Sequence, residues 1–414
     1  MCSTNFLQKQ INKIINIMKS ISQADLKGKR VLVRVDYNVP LNEQLEVTDA
    51  TRIIRTKQTV NRIVEEGGIA ILMSHLGRPK GAANDKMSLR HIVSKASEVL
   101  GKPVTFLGDV LDADVDKKVA ALKPGDVALL ENLRFHKEEE AGDVAFAKQI
   151  ARLGDIYVND AFGTAHREHA STATIAKFFP GSCYAGYLLY EEAMNLDKVL
   201  NSARPPFTAI IGGSKVSTKL KIIEFLLEKV DSLIIAGGMS YTFLYAMGVK
   251  IGNSLLEEDM GPMAKDIIKK AHLRGVDLYF PIDNVCADRY ANDAQTCITT
   301  QNHIPDGWEG MDIGPRTIRK FAAVIKNSNT ILWNGPVGVY EFPTFEKGTQ
   351  AVALCVSVAT LSGSFSLIGG GDSIAALNNF KLSNFVSYIS TGGGAMLEYL
   401  EGKELPGIKA LNED

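Results

Sequence analysis

The strongest constraint on the fold of this 414-residue chain is a repeated pattern: a short apolar run, a Gly-rich or polar break, then an amphipathic stretch. Near-continuous apolar strands that alternate with helices are typical of parallel sheets covered by helices on both faces. We therefore predict an α/β fold. The predicted strands are 31–35, 69–73, 127–130, 156–158, 208–211, 232–236, 277–280, 330–333, 365–368 and 385–389.

Two halves are visible in this pattern. Residues 188–200 have the spacing of a helix, and the following Arg204-Pro205-Pro206 must end it, because proline lacks the N–H that a helix interior needs. A domain boundary placed there leaves two halves large enough for separate cores. In the second half, apolar residues three and four apart over 216–230 predict a further helix.

Composition excludes several classes of protein. Lys and Arg total 46 against 47 for Asp and Glu, a net charge of −1, so the chain lacks the basic excess of a nucleic-acid or lipid-surface protein. No apolar run reaches the length of about 18 residues that predicts a membrane-spanning helix. The five cysteines, Cys2, Cys183, Cys286, Cys297 and Cys355, are scattered without a C-x-x-C pair. We expect reduced thiols in a cytosolic enzyme, with neither a disulfide framework nor structural zinc.

Residues 1–20 precede the first clear fold signal. They lack arginine, a long apolar core and a small-residue cleavage site, so they make a poor secretory or transit peptide. A short helical extension and a mis-assigned start at Met18 both remain open.

Polar and basic residues follow the predicted strands of the first half, in the segments RVDYNVP, MSHLGRP, LLENLRF and VNDAFGTAHR. Ligands of open parallel sheets bind outside the carboxyl ends of the strands. Arg78, Arg134 and Arg167 each come just after such an end, and guanidinium groups bind phosphate and carboxylate through paired hydrogen bonds. Surface ion pairing would explain one such arginine, but three at successive strand ends favour a site for a small polyanion.

Two polar pairs in this half have more than one interpretation. Asp36 and Asn38 share one face of a strand end and suit substrate hydroxyls, but a turn or helix-cap role remains equally open. His166 and His169 are three residues apart, yet no third ligand has a suitable spacing, so we do not predict a metal site there.

Glycines follow the predicted strands of the second half. The segments GGSK at 212–215 and GGGDS at 369–373 are each expected to open a helix, where backbone N–H groups can approach a phosphate closely. Neither is a Walker A loop or a G-x-G-x-x-G fingerprint. Lys215 and Lys219 are four apart and are expected to share a helix face. Asp372 is a candidate contact for the Mg²⁺ of a nucleotide, or alternatively it or Ser373 is a helix N-cap.

A polyanion site on one half and a nucleotide site on the other together predict phosphoryl transfer between the two ligands. The nine motifs RVDYNVP, SHLGRP, ENLRF, VNDAFGTAHR, GGSKVSTK, WNGPVGVYE, GGGDS, STGGGAMLEYLEG and LPGI, in that order from about residue 21 to 408, resemble the phosphoglycerate kinases. The resemblance implies a glycolytic and gluconeogenic phosphotransferase with a carboxyl group as acceptor. The implied reaction converts 1,3-bisphosphoglycerate and MgADP reversibly into 3-phosphoglycerate and MgATP.

The resemblance also implies two Rossmann-like domains, each a parallel sheet flanked by helices, joined by a helix and a hinge that closes. The first domain is predicted at 1–186 plus 390–414, the connecting helix at 187–203 and the nucleotide-binding domain at 204–389. A cytoplasmic monomer is implied, with Mg²⁺ as the cofactor that accompanies ATP or ADP. Nucleic-acid and membrane partners are not expected.

Site residues follow from the resemblance by motif match. The implied catalytic residues are Arg52, Lys219 and Gly371. The implied 3-phosphoglycerate site is Asp36, Tyr37, Asn38, Arg52, His75, Leu76, Gly77, Arg78, Arg134 and Arg167. The implied nucleotide site is Gly212, Gly213, Lys215, Lys219, Gly237, Gly310, Asn334, Glu341, Gly370, Gly371, Asp372 and Ser373, with Asp372 reaching Mg²⁺ through the nucleotide.

Sequence features argue against two other functions. A nicotinamide-dependent dehydrogenase would need a G-x-G-x-x-G loop with an acidic residue about 20 positions later, and the sequence has none. A metabolite sensor without turnover would have no need of the three charged residues Lys219, Arg52 and Asp372. Assayed turnover separates the sensor from the kinase.

Overall fold

The computed structural model describes residues 18–299 and 303–412, so the expectation for the N-terminal extension lies almost entirely outside the described residues. The chain divides into two compact units, Met1–Met194 with Lys403–Asp414, and Asn195–Gly402. The predicted return of the chain to the first domain begins at residue 390, thirteen residues before the division at Lys403.

The first unit is built on a six-stranded sheet, in the order β3-β4-β2-β1-β5-β6, with every neighbouring pair parallel. Its strands are β1 (Arg30–Val35), β2 (Ile69–Met73), β3 (Val104–Gly108), β4 (Val127–Leu130), β5 (Ile156–Asp160) and β6 (Cys183–Ala185). Every residue of β2, β4 and β5 is buried, as expected of central parallel strands covered on both faces.

Helices cover this sheet. They are α1 (Thr51–Glu65), α2 (Val93–Leu100), α3 (Val115–Ala120), α4 (Lys137–Glu140) and α5 (Val144–Ala151), with 3₁₀ turns at Ile21–Gln23, Asp85–Met87, Leu89–Ile92, Leu133–Phe135, Phe162–Thr164 and Thr174–Phe178. The buried residues of α1 include Ile53, Val60, Ile63 and Val64, whose three- and four-residue spacing makes one apolar face. That face belongs to the same core cluster as Leu72 of the sheet.

Helix α6 (Tyr187–Asn201) confirms the helix predicted at 188–200 and contains the division between the units. Its start is fixed by Asp160 at the end of β5, whose carboxylate accepts hydrogen bonds from the N–H groups of Leu188 (2.9 Å) and Leu189 (3.2 Å). A carboxylate at a helix N-terminus satisfies otherwise unpaired donors. Burial is the main cause that raises the pKa of Asp160 to about 6.

The second unit contains a second six-stranded sheet, in the order β15-β14-β13-β7-β8-β9 and parallel throughout. The strands of the unit are β7 (Phe207–Ile211), β8 (Ser232–Ile235), β9 (Asp277–Tyr279), β10 (Asn284–Ala287), β11 (Thr296–Ile298), β12 (Glu309–Ile313), β13 (Thr330–Asn334), β14 (Phe365–Gly369) and β15 (Tyr388–Ile389). The two large sheets confirm the predicted α/β class.

The helices of the second unit are α7 (Leu220–Leu226), α8 (Met239–Ala246), α9 (Gly261–Arg274), α10 (Pro315–Lys326), α11 (Lys347–Leu361), α12 (Gly371–Asn379) and α13 (Gly394–Leu400), with 3₁₀ turns at Glu258–Met260 and Ser383–Phe385. A last helix, α14 (Pro406–Lys409), belongs to the first unit. Over the described ranges no helix is long and apolar enough to cross a membrane.

The structure corrects two expectations about the second unit. The predicted parallel sheet is present, but the strand list was incomplete, because it omitted β11-β10-β12, which form a separate antiparallel sheet. The helix predicted at 216–230 is reduced to α7, because the hydroxyls before it bond elsewhere: Thr218 donates to the Lys215 carbonyl (2.9 Å), and Ser217 donates to the Glu257 carboxylate. Such local hydrogen bonds compete with helix formation.

Candidate functional site

The carboxyl ends of β1, β2, β4 and β5 meet at one edge of the first sheet, because these strands are parallel neighbours. The loops that leave this edge carry Asp36, His75, Arg134 and Arg167, all predicted site residues. The fold therefore brings to one edge groups that lie 131 residues apart in the chain (167 − 36).

Asp36 and Asn38, just after the end of β1, hold other residues of this edge in place through hydrogen bonds. Asp36 Oδ2 accepts a hydrogen bond from Arg52 Nη1 (2.9 Å), which also donates to the carbonyl of Asn38 (3.1 Å). The Asn38 side chain accepts from the N–H of Gly77 (2.9 Å). Both residues thus have a structural part in the turn, and Arg52, on α1, is held by Asp36 with 41% of its side chain exposed.

Arg34 is a fully buried arginine below this edge, and the sequence argument did not include it in the site. Its Nε donates to Ser171 Oγ (2.8 Å), and Ser171 donates in turn to the buried carboxylate of Glu139 (2.5 Å). A charged residue inside the otherwise apolar run VLVRV at 31–35 was the available signal, because an arginine is rarely buried without a partner. Glu139 and Ser171 gave no comparable signal.

His75 is a neutral ring in a positive environment. Burial and the charges of four arginines hold its pKa well below the ordinary value of 6.5, so the imidazole is uncharged at pH 7. In order of effect the arginines are Arg34, Arg134, Arg167 and Arg52. His75 Nδ1 lies 3.3 Å from Arg34 Nη2. The four arginines all act on His75, and we refer to His75 and these four arginines together as the basic cluster.

Arg134 is the member of the basic cluster with the most unsatisfied charge. Its Nη1 donates to the Gly77 carbonyl (3.0 Å), and its Nε lies 3.3 Å from Glu140. Within residues 18–299 and 303–412 its buried Nη2 has no hydrogen-bond partner. Burial, followed by the charge of Arg167, lowers its pKa to about 10. A bound anion would raise the pKa of Arg134 again, because a nearby opposite charge favours the ionised form.

The remaining predicted residues of this site differ in accessibility. Arg78 is exposed, and Arg167 is half-buried with its Nε donating to His166 Nε2 (3.2 Å). The side chains of Tyr37 and Leu76 are buried in the hydrophobic core. The N–H of Tyr37 donates to Ser74 Oγ (2.8 Å). Neither Tyr37 nor Leu76 offers a side chain to a ligand, because both side chains are buried.

Two kinds of glycine occupy the carboxyl ends of the second sheet. A Cβ on Gly212 would lie 2.0 Å from the Pro336 carbonyl oxygen, and one on Gly237 would lie 2.8 Å from that of Gly213, so these glycines allow loops to pack backbone against backbone. A Cβ on Gly213 or Gly371 would meet nothing within 4 Å. The second kind leaves open space beside the backbone, which a phosphate can approach.

Lys219 and Asn334 join two of these strand ends. The ammonium of Lys219 donates to the side-chain oxygen of the buried Asn334. No residue in the described part of the chain accepts a hydrogen bond from Asn334 Nδ2. Burial lowers the pKa of Lys219, and the carboxylate of Asp372 opposes that effect. The expectation that Lys215 and Lys219 share a helix face was wrong, because Lys215 lies in the loop and Lys219 is the residue before α7.

Helix α12 begins at Gly371, directly after Gly370 with φ +89°. No side chain caps this N-terminus, so neither Asp372 nor Ser373 has the N-cap role that was left open. Ser373 is buried and its hydroxyl accepts from the N–H of Gly335 (2.6 Å), whereas Asp372 is exposed. A helix start with free N–H groups attracts phosphate.

A pocket of about 460 Å³ lies beside these loops within the second unit. Five predicted nucleotide residues line it: Gly213, Gly237, Gly310, Glu341 and Asp372. The apolar and aromatic residues of its wall were not predicted, because they come from helix α8, strand β12 and several loops, and no local pattern marks them as neighbours. They are Tyr241, Leu255, Tyr290, Met311, Pro336, Val337 and Val339.

A basic edge on one α/β unit and a glycine-lined pocket on another are features of a two-domain phosphotransferase, and comparison with known proteins identifies the family. The sequence model of phosphoglycerate kinase matches residues 21–403. The chain belongs to the phosphoglycerate kinase family, and it is accordingly a kinase that acts on small molecules.

Individual relatives agree with this assignment. The chain is 50% identical to the phosphoglycerate kinase of Porphyromonas gingivalis, over 95% of this chain and 99% of that protein. It is 49% identical to the chloroplastic enzyme of Volvox carteri, over 95% of this chain and 85% of that protein. The solved phosphoglycerate kinase of Coxiella burnetii superposes with a TM-score of 0.88 at 40% identity, over 95% of this chain and 98% of that one.

Proposed function

We propose that the basic cluster and Arg78 bind 3-phosphoglycerate, and that the glycine loops of the second unit bind MgADP or MgATP. The basic cluster carries this proposal. Its four arginines face a neutral His75, and the buried Nη2 of Arg134 lacks a hydrogen-bond partner among the described residues. A small molecule with one phosphate and one carboxylate supplies the negative charge that this arrangement needs.

In this proposal the 3-phosphoglycerate carboxylate is the nucleophile toward ATP. A carboxylate with a pKa near 4 is already ionised at pH 7, so no general base is needed. Arg52 and Lys219 then balance the charge of the phosphoryl group during transfer, while the N–H groups at Gly371 hold its oxygens. The hydrogen bond from Lys219 to Asn334 supports a position near the phosphate chain.

Mg²⁺ with the nucleotide is part of the proposal. Asp372 fits it, because this exposed carboxylate lines the pocket and, among the described residues, accepts no hydrogen bond. Mg²⁺ prefers one or two carboxylates together with phosphate oxygens. When bound, the ion would supply positive charge to the phosphates, and Asp372 would hold it there.

We further propose a cytoplasmic monomer without nucleic-acid or membrane partners. The near-zero net charge supports the absence of a polyanionic partner. Cell fractionation and light scattering test these points, and a chloroplast or membrane fraction, or a dimeric mass, would contradict them.

The decisive test is a coupled assay with 3-phosphoglycerate, MgATP, glyceraldehyde-3-phosphate dehydrogenase and NADH. We expect Mg²⁺-dependent loss of NADH that needs both substrates. Lys219→Ala should abolish it, and Lys221→Ala, an exposed lysine on α7, should not. Binding of both ligands by calorimetry without turnover would contradict the kinase and support the sensor.

A further inference from the structure

The antiparallel sheet beside the nucleotide pocket contains two cysteines in direct opposition. Cys286 of β10 is paired with Cys297 of β11. Both pack into one apolar cluster with Tyr241, Leu244 and Ile251, so their thiols lie on the same face of the sheet. The site described above uses neither cysteine.

The backbone at this pair places the two cysteines within reach of a disulfide. The Thr299 N–H donates to the Asn284 carbonyl (3.0 Å) and the Asp288 N–H to the Gln295 carbonyl (3.2 Å), two residues to either side of the pair. The cysteines therefore occupy a hydrogen-bonded pair, where Cα atoms are about 5.5 Å apart. Disulfides span about 4.4–6.8 Å between Cα atoms but only about 3.5–4.5 Å between Cβ atoms. Opposite Cβ atoms of a hydrogen-bonded pair are about 5 Å apart, so the bond keeps the register but requires the two strands to approach each other at this pair.

The two thiols differ in reactivity. Cys286 is buried, and burial together with the charge of Cys297 and a hydrogen bond to it raises the pKa of Cys286 to about 12. Cys297 is half-buried and therefore more accessible. An oxidant would reach Cys297 first, with Cys286 held beside it as the second thiol.

The pair is connected directly to the nucleotide pocket. On its other side β10 pairs with β12, and Cys286 is opposite Gly310. The register of this ladder shifts between Val285 and Cys286, which is the irregular point where strands deform most readily. Tyr241 closes on Gly310 so tightly that a Cβ there would lie 2.0 Å from its hydroxyl, and both residues line the pocket.

We propose that Cys286 and Cys297 form an oxidisable dithiol whose oxidant is a low-molecular-weight disulfide, and that the resulting cross-strand bond weakens nucleotide binding in the adjacent pocket. The thiolate of Cys297 attacks one sulfur of the oxidant and releases the first small thiol. The thiolate of Cys286 then attacks the Cys297 sulfur and releases the second. The oxidant takes up the two electrons and the two thiol protons as two small thiols.

The effect on binding has a structural cause. Bond formation brings the two sulfur atoms to about 2.05 Å, which pulls β11 toward β10 at Cys286. Cys286 borders the register shift of the β10–β12 ladder and is opposite Gly310, so the movement reaches the wall of the pocket. This effect rests on the proposed nucleotide site, whereas formation of the bond does not. Because Cys286 must ionise, oxidation should accelerate as the pH rises.

The test oxidises the full chain with glutathione disulfide and maps the tryptic peptides. Trypsin cuts at Arg289, between the two cysteines, so their peptides stay joined only through a disulfide. Calorimetry then gives the Kd for MgADP before and after oxidation. We expect joined peptides and a several-fold rise in Kd, both reversed by dithiothreitol.

Variants separate the possible outcomes. Cys297→Ser and Cys286→Ala should each prevent the bond and the rise in Kd, while Cys355→Ser, at a half-buried thiol of α11, should behave as wild type. Absence of joined peptides overturns the dithiol, and joined peptides with an unchanged Kd overturn its effect on binding. Failure of the reduced protein to bind MgADP would contradict the proposed nucleotide site instead.

Discussion

At the scale of single residues, each charged group predicted to act on the phosphoryl group is held in place by a polar side chain. Asp36 holds Arg52, and Asn334 holds Lys219. Both partners come from the carboxyl end of a central strand, so the rigid sheets fix the long side chains. A fixed charge stabilises a transition state at a lower cost in reorganisation than a mobile one.

Arg52→Ala should lower kcat by about 10³-fold or more, as expected of an arginine that balances charge during phosphoryl transfer. Steady-state kinetics in the coupled assay measure this. Lys57→Ala removes an exposed positive charge from the same helix, α1, and should leave kcat unchanged. If Arg52→Ala kept a near-wild-type kcat, Arg52 would have no part in the chemistry.

At the scale of elements, we expect alanine substitution to have different effects on stability at the two kinds of glycine. Gly212→Ala inserts a Cβ 2.0 Å from the Pro336 carbonyl, and such overpacking costs about 1–3 kcal/mol. Gly371→Ala meets open space and should leave the melting temperature unchanged. Differential scanning calorimetry compares the two variants. Equal melting temperatures would show that the loop relaxes around the new methyl group.

The contact between His136 and Asp109 joins the turn after β4 to the end of β3. His136 Nε2 lies 2.8 Å from Asp109 Oδ2. This hydrogen bond raises the pKa of His136. Burial raises the pKa of Asp109, but the hydrogen bond from His136 and other contacts outweigh burial, so the pKa of Asp109 is lowered. This stabilisation is complete below the unfolded histidine pKa of about 6.5 and is lost as the pH rises through the higher folded value.

The stabilisation is also lost in acid, as the pH falls through the lowered pKa of Asp109. The loss of stability in His136→Gln relative to wild type should therefore be largest near pH 5–6. This pH lies between the unfolded-state pKa values of Asp, about 3.9, and His, about 6.5. Above pH 8 the variant should approach wild type in stability. Urea unfolding across this range measures the difference. His272→Gln, at an exposed histidine, should show no such pH dependence, and a pH-independent loss in His136→Gln would indicate a packing effect alone.

How far the sequence predicted these elements depends on burial. The runs at 69–73 and 127–130 coincide with β2 and β4, because both strands are buried on two faces and are apolar throughout. Strand β3 was missed because Thr105 is exposed and its pattern is mixed. The antiparallel strands β10–β12 carry polar residues such as Asn284 and Asp312, and no local signal distinguishes them from loops.

At the scale of the whole molecule, the predicted ligands belong to different units, so direct transfer requires those ligands to meet. We predict closure only when 3-phosphoglycerate and a non-hydrolysable MgATP analogue are both bound. Small-angle scattering should record a smaller radius of gyration for the ternary complex than for the free protein and for either binary complex. An unchanged radius would contradict hinge closure.

The site was predictable to the extent that its residues are charged or are glycines at strand ends. Chain order located Arg134 and Arg167, but Arg52 lies inside α1, away from any strand end, and entered only through family resemblance. Glu139 is 105 residues from Arg34 in the chain (139 − 34), and only tertiary packing brings it into the same hydrogen-bond network. Long-range partners of this kind leave no local pattern.

The last residues of the chain have a consequence for its synthesis. Gly407 donates its N–H to the Ala165 carbonyl (2.8 Å), and its own carbonyl accepts from the side chain of Asn159 (3.4 Å), 248 residues earlier. A ribosome adding about 5–20 residues per second needs about 12–50 s to travel that distance. The first unit is thus completed only after the second has been synthesised, and its hydrogen bonds beside β5 stay unformed until Gly407 has been added.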